Sequence, residues 1–173
     1  MRRILVVDDE AHVLSALQRA LRGFLPDEVK IETCADPEQA LLRCAEQRFD
    51  VVMSDYRMPG LTGADFLQMV KGIQPDAVRL VLSASNDITE VMDAINRAEV
   101  FRYVAKPWTA DELEKVFAQA FARHDELRRA RRLAGPGAAG ALSPQEREAR
   151  RLEAEEPGIT RVRRDSDGSV YLD

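Results

Sequence analysis

A chain of 173 residues, 45% hydrophobic and 32% charged, has material for one ordinary domain with a sizeable core plus an appendage. No apolar stretch approaches the ~20 residues of a membrane span, and the run after Met1-Arg2-Arg3 is too short for a signal-peptide core, so the expected compartment is the cytoplasm with no membrane partner. Net charge is −5, with 20 acids and 15 bases in residues 1–123 and 10 of each in 124–173, a balance that disfavours DNA binding, which calls for a net basic face.

Strand and helix patterns alternate five times. Residues 3–7 read as a strand, and 10–24 follow as a helix with Val13, Leu14, Leu17, Leu21 and Phe24 on one face. A second strand spans 29–34. Asp36 is placed to cap the next helix and Pro37 to open it, with Ala40, Leu41, Cys44 and Ala45 as its apolar face. The third strand is 50–54. Pro59-Gly60-Leu61-Thr62-Gly63 reads as loop, and a helix over 64–73 shows Phe66, Leu67, Val70 and Ile73. The fourth strand is 78–83. A helix over 87–98 carries Val91, Ile95 and Ala98. The fifth strand is 101–105, and a last helix from Ala110 with Leu113, Val116, Phe117 and Ala120 continues toward Leu133.

The strands are short continuous apolar runs rich in Val and Ile, the pattern of strands buried on both faces of a parallel sheet. Five strand–helix units call for a doubly wound α/β sheet with helices on both faces. In such sheets ligands bind beyond the carboxyl ends of the strands. There the charged groups stand: Asp8 and Asp9 after the first strand, Asp55 after the third, Lys106 after the fifth. Three carboxylates at one edge repel one another unless a cation neutralises them. Hard oxygen ligands suit Mg2+, or Mn2+, with substrate phosphate in the remaining positions.

These motifs, Val7-Asp8-Asp9-Glu10, Ser54-Asp55 followed by Met58-Pro59-Gly60, Leu82-Ser83-Ala84, and Tyr103 with Lys106-Pro107, resemble the receiver domain of two-component response regulators over residues 1–123. The resemblance implies a flavodoxin-like five-stranded parallel sheet of order 2-1-3-4-5, whose switch point lies between strands 1 and 3. It implies that Asp55 is the phosphoacceptor and forms an aspartyl phosphate, served by a histidine kinase or phosphotransfer protein. Asp9 would hold the metal directly, Asp8 mostly through water, with Asp55 and the backbone carbonyl of Arg57 completing the protein's share. Lys106, before a cis Pro107, would pair with a phosphoryl oxygen. Ser83 and Tyr103 would be the switch pair, the hydroxyl moving toward the phosphoryl group as the aromatic ring turns inward. The output surface would be the helix 87–98, the strand 101–105 and the last helix. Such a chain is not an enzyme in the turnover sense; it catalyses only its own phosphorylation and dephosphorylation.

Two other readings fit part of the pattern. An Mg-dependent aspartate-nucleophile phosphatase usually carries a second Asp two positions after the nucleophile, where this chain has Arg57, and needs a cap that no insertion supplies. An adaptor that is never phosphorylated would not need the complete set of acids and lysine.

Residues 124–142 read as a helix extension and flexible linker, Ala134-Gly135-Pro136-Gly137 breaking the helix. Residues 143–173 read as a short helix capped by Ser143, Pro144 and Glu146, then a β-hairpin around Asp165-Ser166-Asp167-Gly168. A lone hairpin is marginal in water, so this tail is read as an interaction or dimerisation element, a homodimer being one outcome. The basic run Arg128-Arg129-Ala130-Arg131-Arg132 reads as a solvated helix end. Cys34 and Cys44 read as small buried hydrophobes in a reducing compartment. His12 and His124 lie on helices without a local partner that would make either a phosphoacceptor.

Overall fold

The computed structural model describes residues 1–84, 88–134, 162–164 and 170–172. It contains β1 (Arg3–Val7), α1 (Ala11–Arg22), β2 (Lys30–Cys34), α2 (Pro37–Glu46), β3 (Val51–Asp55), α3 (Gly63–Ile73), β4 (Val78–Ala84), α4 (Ile88–Ala98), β5 (Arg102–Lys106), α5 (Ala110–Ala134), β6 (Val162–Arg164) and β7 (Val170–Leu172). The first five strands form one sheet in the order β2-β1-β3-β4-β5, every neighbouring pair parallel. The expected flavodoxin-like doubly wound order is therefore the observed one.

Side-chain alternation along the strands explains their unbroken apolar runs. Ile4 and Val6 of β1, Met53 of β3, Leu80 and Leu82 of β4 and Val104 of β5 pack on one side with Leu14, Leu17 and Leu21 of α1 and Leu113, Phe117 and Ala120 of α5. Leu5 and Val7 of β1, Val52 of β3 and Val81 of β4 pack on the other side with Ala40 and Cys44 of α2, Phe66, Leu67 and Val70 of α3, and Ala94 and Ala98 of α4. Full burial of such side chains contributes roughly 1.5–3 kcal/mol each.

Local signals set the helix starts. The Asp36 side chain accepts the Glu38 N–H, with Pro37 in the first turn. Thr62 and Asp65 form a reciprocal capping box at α3. Glu10, expected in the first turn of α1, is instead its N-cap without a side-chain capping bond. Arg79 is buried and donates to the carbonyls of Ala98 and Ala77, closing the end of α4.

The apolar stripes hold for α1 and α5 and shift elsewhere. In α2 Ala45 is exposed, and in α3 Ile73 is 43% exposed. In α4 the buried residues are Glu90, Ala94 and Ala98, while Ile88, Met92 and Ile95 are exposed. Beyond Glu90 the inward face of α4 is made of Ala94 and Ala98, one turn apart, which lets the helix lie close to α3 and the sheet; the large apolar residues are left outside.

The chain divides into two compact units, Met1–Ala130 and Arg131–Asp173. In the second, β6 and β7 pair antiparallel with Arg163 opposite Tyr171. The expected linker, the helix from Ser143 and the turn at 165–168 lie outside the described residues. Cys34 and Cys44 are buried and free. Among the described residues no helix is long and apolar enough to cross a membrane.

Candidate functional site

Register places the acids. Val7 of β1 lies opposite Ser54 of β3, so the next residues, Asp8 and Asp55, emerge side by side at the switch point of the sheet. Asp8 is fully buried and Asp55 is 7% exposed, whereas Asp9 is exposed. The Asp8 Oδ1 accepts the Glu10 N–H at 2.9 Å, which fixes the turn into α1. Carboxylate oxygens of Asp8, Asp9 and Asp55 all lie within 4.8 Å of one another.

Lys106 ends β5, opposite Ala84 of β4. Its long side chain crosses to β1 and β3, where Nζ lies 3.3 Å from Asp8 Oδ2 and 3.3 Å from Asp55 Oδ1. The Lys106–Pro107 bond is cis, as the resemblance implied.

Burial raises the Asp55 carboxyl first, the Asp8 charge adds to it and Lys106 opposes both, leaving it pushed up to about 6. Asp8 is also raised, chiefly by burial, against the pull of the Glu10 N–H and Lys106. Burial alone would lower Lys106, but the Asp55 and Asp8 carboxylates outweigh it and hold the ammonium charged. Three carboxylates face one ammonium, so the cluster carries an uncompensated negative charge. An all-oxygen donor set with that imbalance fits a hard divalent cation such as Mg2+ or Mn2+.

The end of β3 is held tightly. The Ser54 hydroxyl donates to the Asp55 carbonyl at 2.9 Å, and the Tyr56 N–H donates to the Leu82 carbonyl at 2.9 Å. The Gly63 N–H donates to the Tyr56 carbonyl at 2.7 Å. A Cβ at Gly63 would stand 2.2 Å from the Asp55 carbonyl oxygen and 2.8 Å from Tyr56 Cα. Only glycine fits where α3 starts against the Asp55 backbone.

Ser83 is buried on β4 and its hydroxyl donates to Glu90 Oε2 at 3.3 Å. The other Glu90 oxygen, Oε1, accepts from Arg57 Nε. Arg57, two residues beyond Asp55, thus turns its side chain to α4. Farther along α4 the Tyr56 hydroxyl donates to Asp93 Oδ2 at 2.8 Å, and Arg97 donates to Asp65 of α3. Tyr103 is 53% exposed on the edge strand β5, and Ile88, Met92 and Ile95 of α4 are exposed as well.

The structure therefore brings Asp8, Asp9, Asp55 and Lys106 together and puts Ser83 on the adjacent strand in a bond to α4. Tyr103 points to solvent here. Glu90 and Gly63 were not singled out from the sequence. The sequence carried no signal for either, since the buried face of α4, Glu90, Ala94 and Ala98, is not the stripe its apolar periodicity suggests. His12 pairs on the surface with Glu10, Nε2 to Oε2 at 3.1 Å. His124 is buried far along α5, its Nδ1 3.2 Å from Asp50 Oδ1.

Residues 4–118 match the family model described as response regulator receiver domain. The hydrogenase transcriptional regulatory protein HoxA of Cupriavidus necator is 37% identical over 117 residues, covering 68% of this chain and 23% of that protein. The DNA-binding transcriptional regulator NtrC of Escherichia coli is 31% identical over 133 residues, 76% of this chain and 28% of its own length. The chain thus spans roughly a quarter of the length of these relatives. Among solved structures, the signal receiver domain of an HD domain-containing protein from Pseudomonas fluorescens Pf-5 superposes with a TM-score of 0.69 at 30% identity, covering 74% of this chain and 92% of that one.

Proposed function

Because the chain belongs to the response regulator receiver domain family, we propose that it is a phosphorylation-dependent switch in which Asp55 accepts a phosphoryl group from a histidine kinase or phosphotransfer protein. An Asp55 carboxylate oxygen attacks phosphorus, the bond from phosphorus to the donor imidazole nitrogen breaks, and that nitrogen keeps the electron pair. An acyl phosphate is left on Asp55. Water later attacks the same phosphorus and restores the carboxylate. In both steps the protein's contribution is positioning and charge rather than turnover of an outside substrate.

Asp8, Asp9, Asp55 and the Arg57 carbonyl would hold Mg2+ or Mn2+, which supplies positive charge beside the phosphoryl oxygens. Lys106 is a point charge already at Asp55 and pairs with a phosphoryl oxygen once it is in place. Asp8, pinned by the Glu10 N–H, keeps Lys106 charged and aimed. Ser83, released from α4, donates its hydroxyl to the phosphoryl group, and Tyr103 turns from solvent into the space beside β4. The exposed Ile88, Met92, Ile95 and Tyr103 on α4 and β5 form the surface whose partner changes, whether another protein or a second copy; a beryllofluoride-activated receiver dimer is known for NtrC4, 26% identical with a TM-score of 0.65. The setting we infer is the cytoplasm.

The observation that carries this reading is the Lys106 Nζ poised 3.3 Å from both Asp8 and Asp55, with Asp9 completing the acid trio. Incubating the chain with phosphoramidate and Mg2+ and reading its intact mass tests it. One phosphoryl group is expected on the unmodified chain and none on Asp55→Asn. Equal labelling of both, or steady release of phosphate from simple esters, overturns it.

A further inference from the structure

We propose that Glu90 is a positioning residue for the Asp55 reaction, acting through Ser83: its buried carboxylate holds the one hydroxyl proton that the phosphoryl group must recruit. The inference rests on the reading of Asp55 as phosphoacceptor and adds a residue to it.

Three observations converge. Ser83 Oγ donates to Glu90 Oε2 at 3.3 Å, both residues being more than nine-tenths buried. A serine hydroxyl has a single proton and gives it to one acceptor at a time, so Glu90 and a phosphoryl oxygen on Asp55 compete for it. Second, Glu90 stands on the inward face of α4 where the residues one and two turns on are Ala94 and Ala98. A buried carboxylate there costs free energy unless it is paired, and Ser83 and Arg57 are among the groups that pair it. Third, Arg57 Nε donates to the other oxygen, Oε1. The guanidinium comes from the loop immediately beyond Asp55 and anchors Glu90 in the geometry that reaches Ser83.

The consequence runs to the surface. When Ser83 gives its proton to the phosphoryl group, Glu90 loses a buried donor and the cost of that loss falls on α4. A helix that moves to replace that lost bond moves Ile88, Met92 and Ile95 with it, the residues that α4 exposes. Glu90 thereby links occupancy at Asp55 to the position of α4, and without phosphate it favours the arrangement seen here.

The test is a titration of the full chain with beryllofluoride, which stands in for the phosphoryl group on Asp55, at saturating Mg2+. Fluorescence of Trp108, the single tryptophan, is the readout, with thermal melts to confirm folding. Glu90→Ala is expected to bind about tenfold more tightly, the ratio set by losing one competing charge-assisted hydrogen bond, and Glu90→Gln to gain less, because its amide oxygen still accepts from Ser83. In a Ser83→Ala background the gain should fall below about twofold, because no hydroxyl is left to release. Unchanged or weaker binding in both folded Glu90 variants overturns the proposal, as does a full gain that persists without the Ser83 hydroxyl. If beryllofluoride perturbs neither the parent chain nor any variant, the phosphoacceptor reading falls and the role of Glu90 falls with it.

Discussion

Gly63→Ala isolates the tightest backbone contact of the site. The added Cβ would lie 2.2 Å from the Asp55 carbonyl oxygen, where ordinary contact begins at 3.4 Å. Relief needs a shift of about 1 Å between α3 and the end of β3, and the obstacle is backbone, which cannot swing aside; overpacking of that kind costs roughly 1–3 kcal/mol, here toward ~3. The strain falls on Asp55, the proposed phosphoacceptor, and a misplacement of about 1 Å at a reacting group is worth up to ~100-fold. Beryllofluoride binding should therefore weaken at least about tenfold. Gly72→Ala is the internal control. It lies on the same helix with nothing within 4 Å of the new Cβ, so it should gain about 0.5–1 kcal/mol from helix propensity and leave binding unchanged. Urea unfolding followed by circular dichroism, paired with the fluorescence titration, reads both. If Gly63→Ala unfolds within about 0.5 kcal/mol of the parent, the close approach does not constrain the end of β3.

Other outcomes follow from the same geometry. Lys106→Ala should leave Mg2+ affinity nearly intact by calorimetry while weakening beryllofluoride binding; loss of metal affinity instead would assign Lys106 to the metal cradle. His124 is buried and its imidazole is held below the usual histidine range, by burial first and by the Arg128 and Arg2 charges, against the opposite pull of Asp50 and Asp125. Above pH 6.5 both folded and unfolded chains carry it neutral. As pH falls below that value the unfolded chain takes up a proton that the folded chain refuses, so stability drops by up to about 1.4 kcal/mol per pH unit. His124→Gln should remove that part of the slope; identical pH profiles from denaturant unfolding between pH 5 and 7 would contradict it.

The fold and the acid–lysine cluster were legible because both are written locally. Each strand is an unbroken apolar run, and each charge of the cluster stands where a run stops, so chain order and the preference of α/β sheets for sites at strand ends carry the inference. Asp36-Pro37 marked the start of α2 for a similar reason. Helix faces were less legible. The stripe Val91, Ile95, Ala98 is the best apolar match to α4, yet packing buried Glu90, Ala94 and Ala98, since closeness to α3 selects the two alanines and leaves Ile88, Met92 and Ile95 outside. Glu90 has no meaning until Ser83 and Arg57, brought in from β4 and the β3–α3 connection, are beside it. Gly63 likewise reads as loop composition until the start of α3 is laid against the Asp55 carbonyl.

The most direct measurement is to locate the acyl phosphate itself. After reaction with phosphoramidate and Mg2+, reduction with borohydride converts a phosphorylated aspartate to homoserine, and trypsin should release the peptide between Arg48 and Arg57. Homoserine is expected at position 55 of that peptide, with unmodified aspartate at positions 8 and 9. Homoserine at 8 or 9, or a phosphoryl group retained on His12 or His124 with Asp55 untouched, would contradict it.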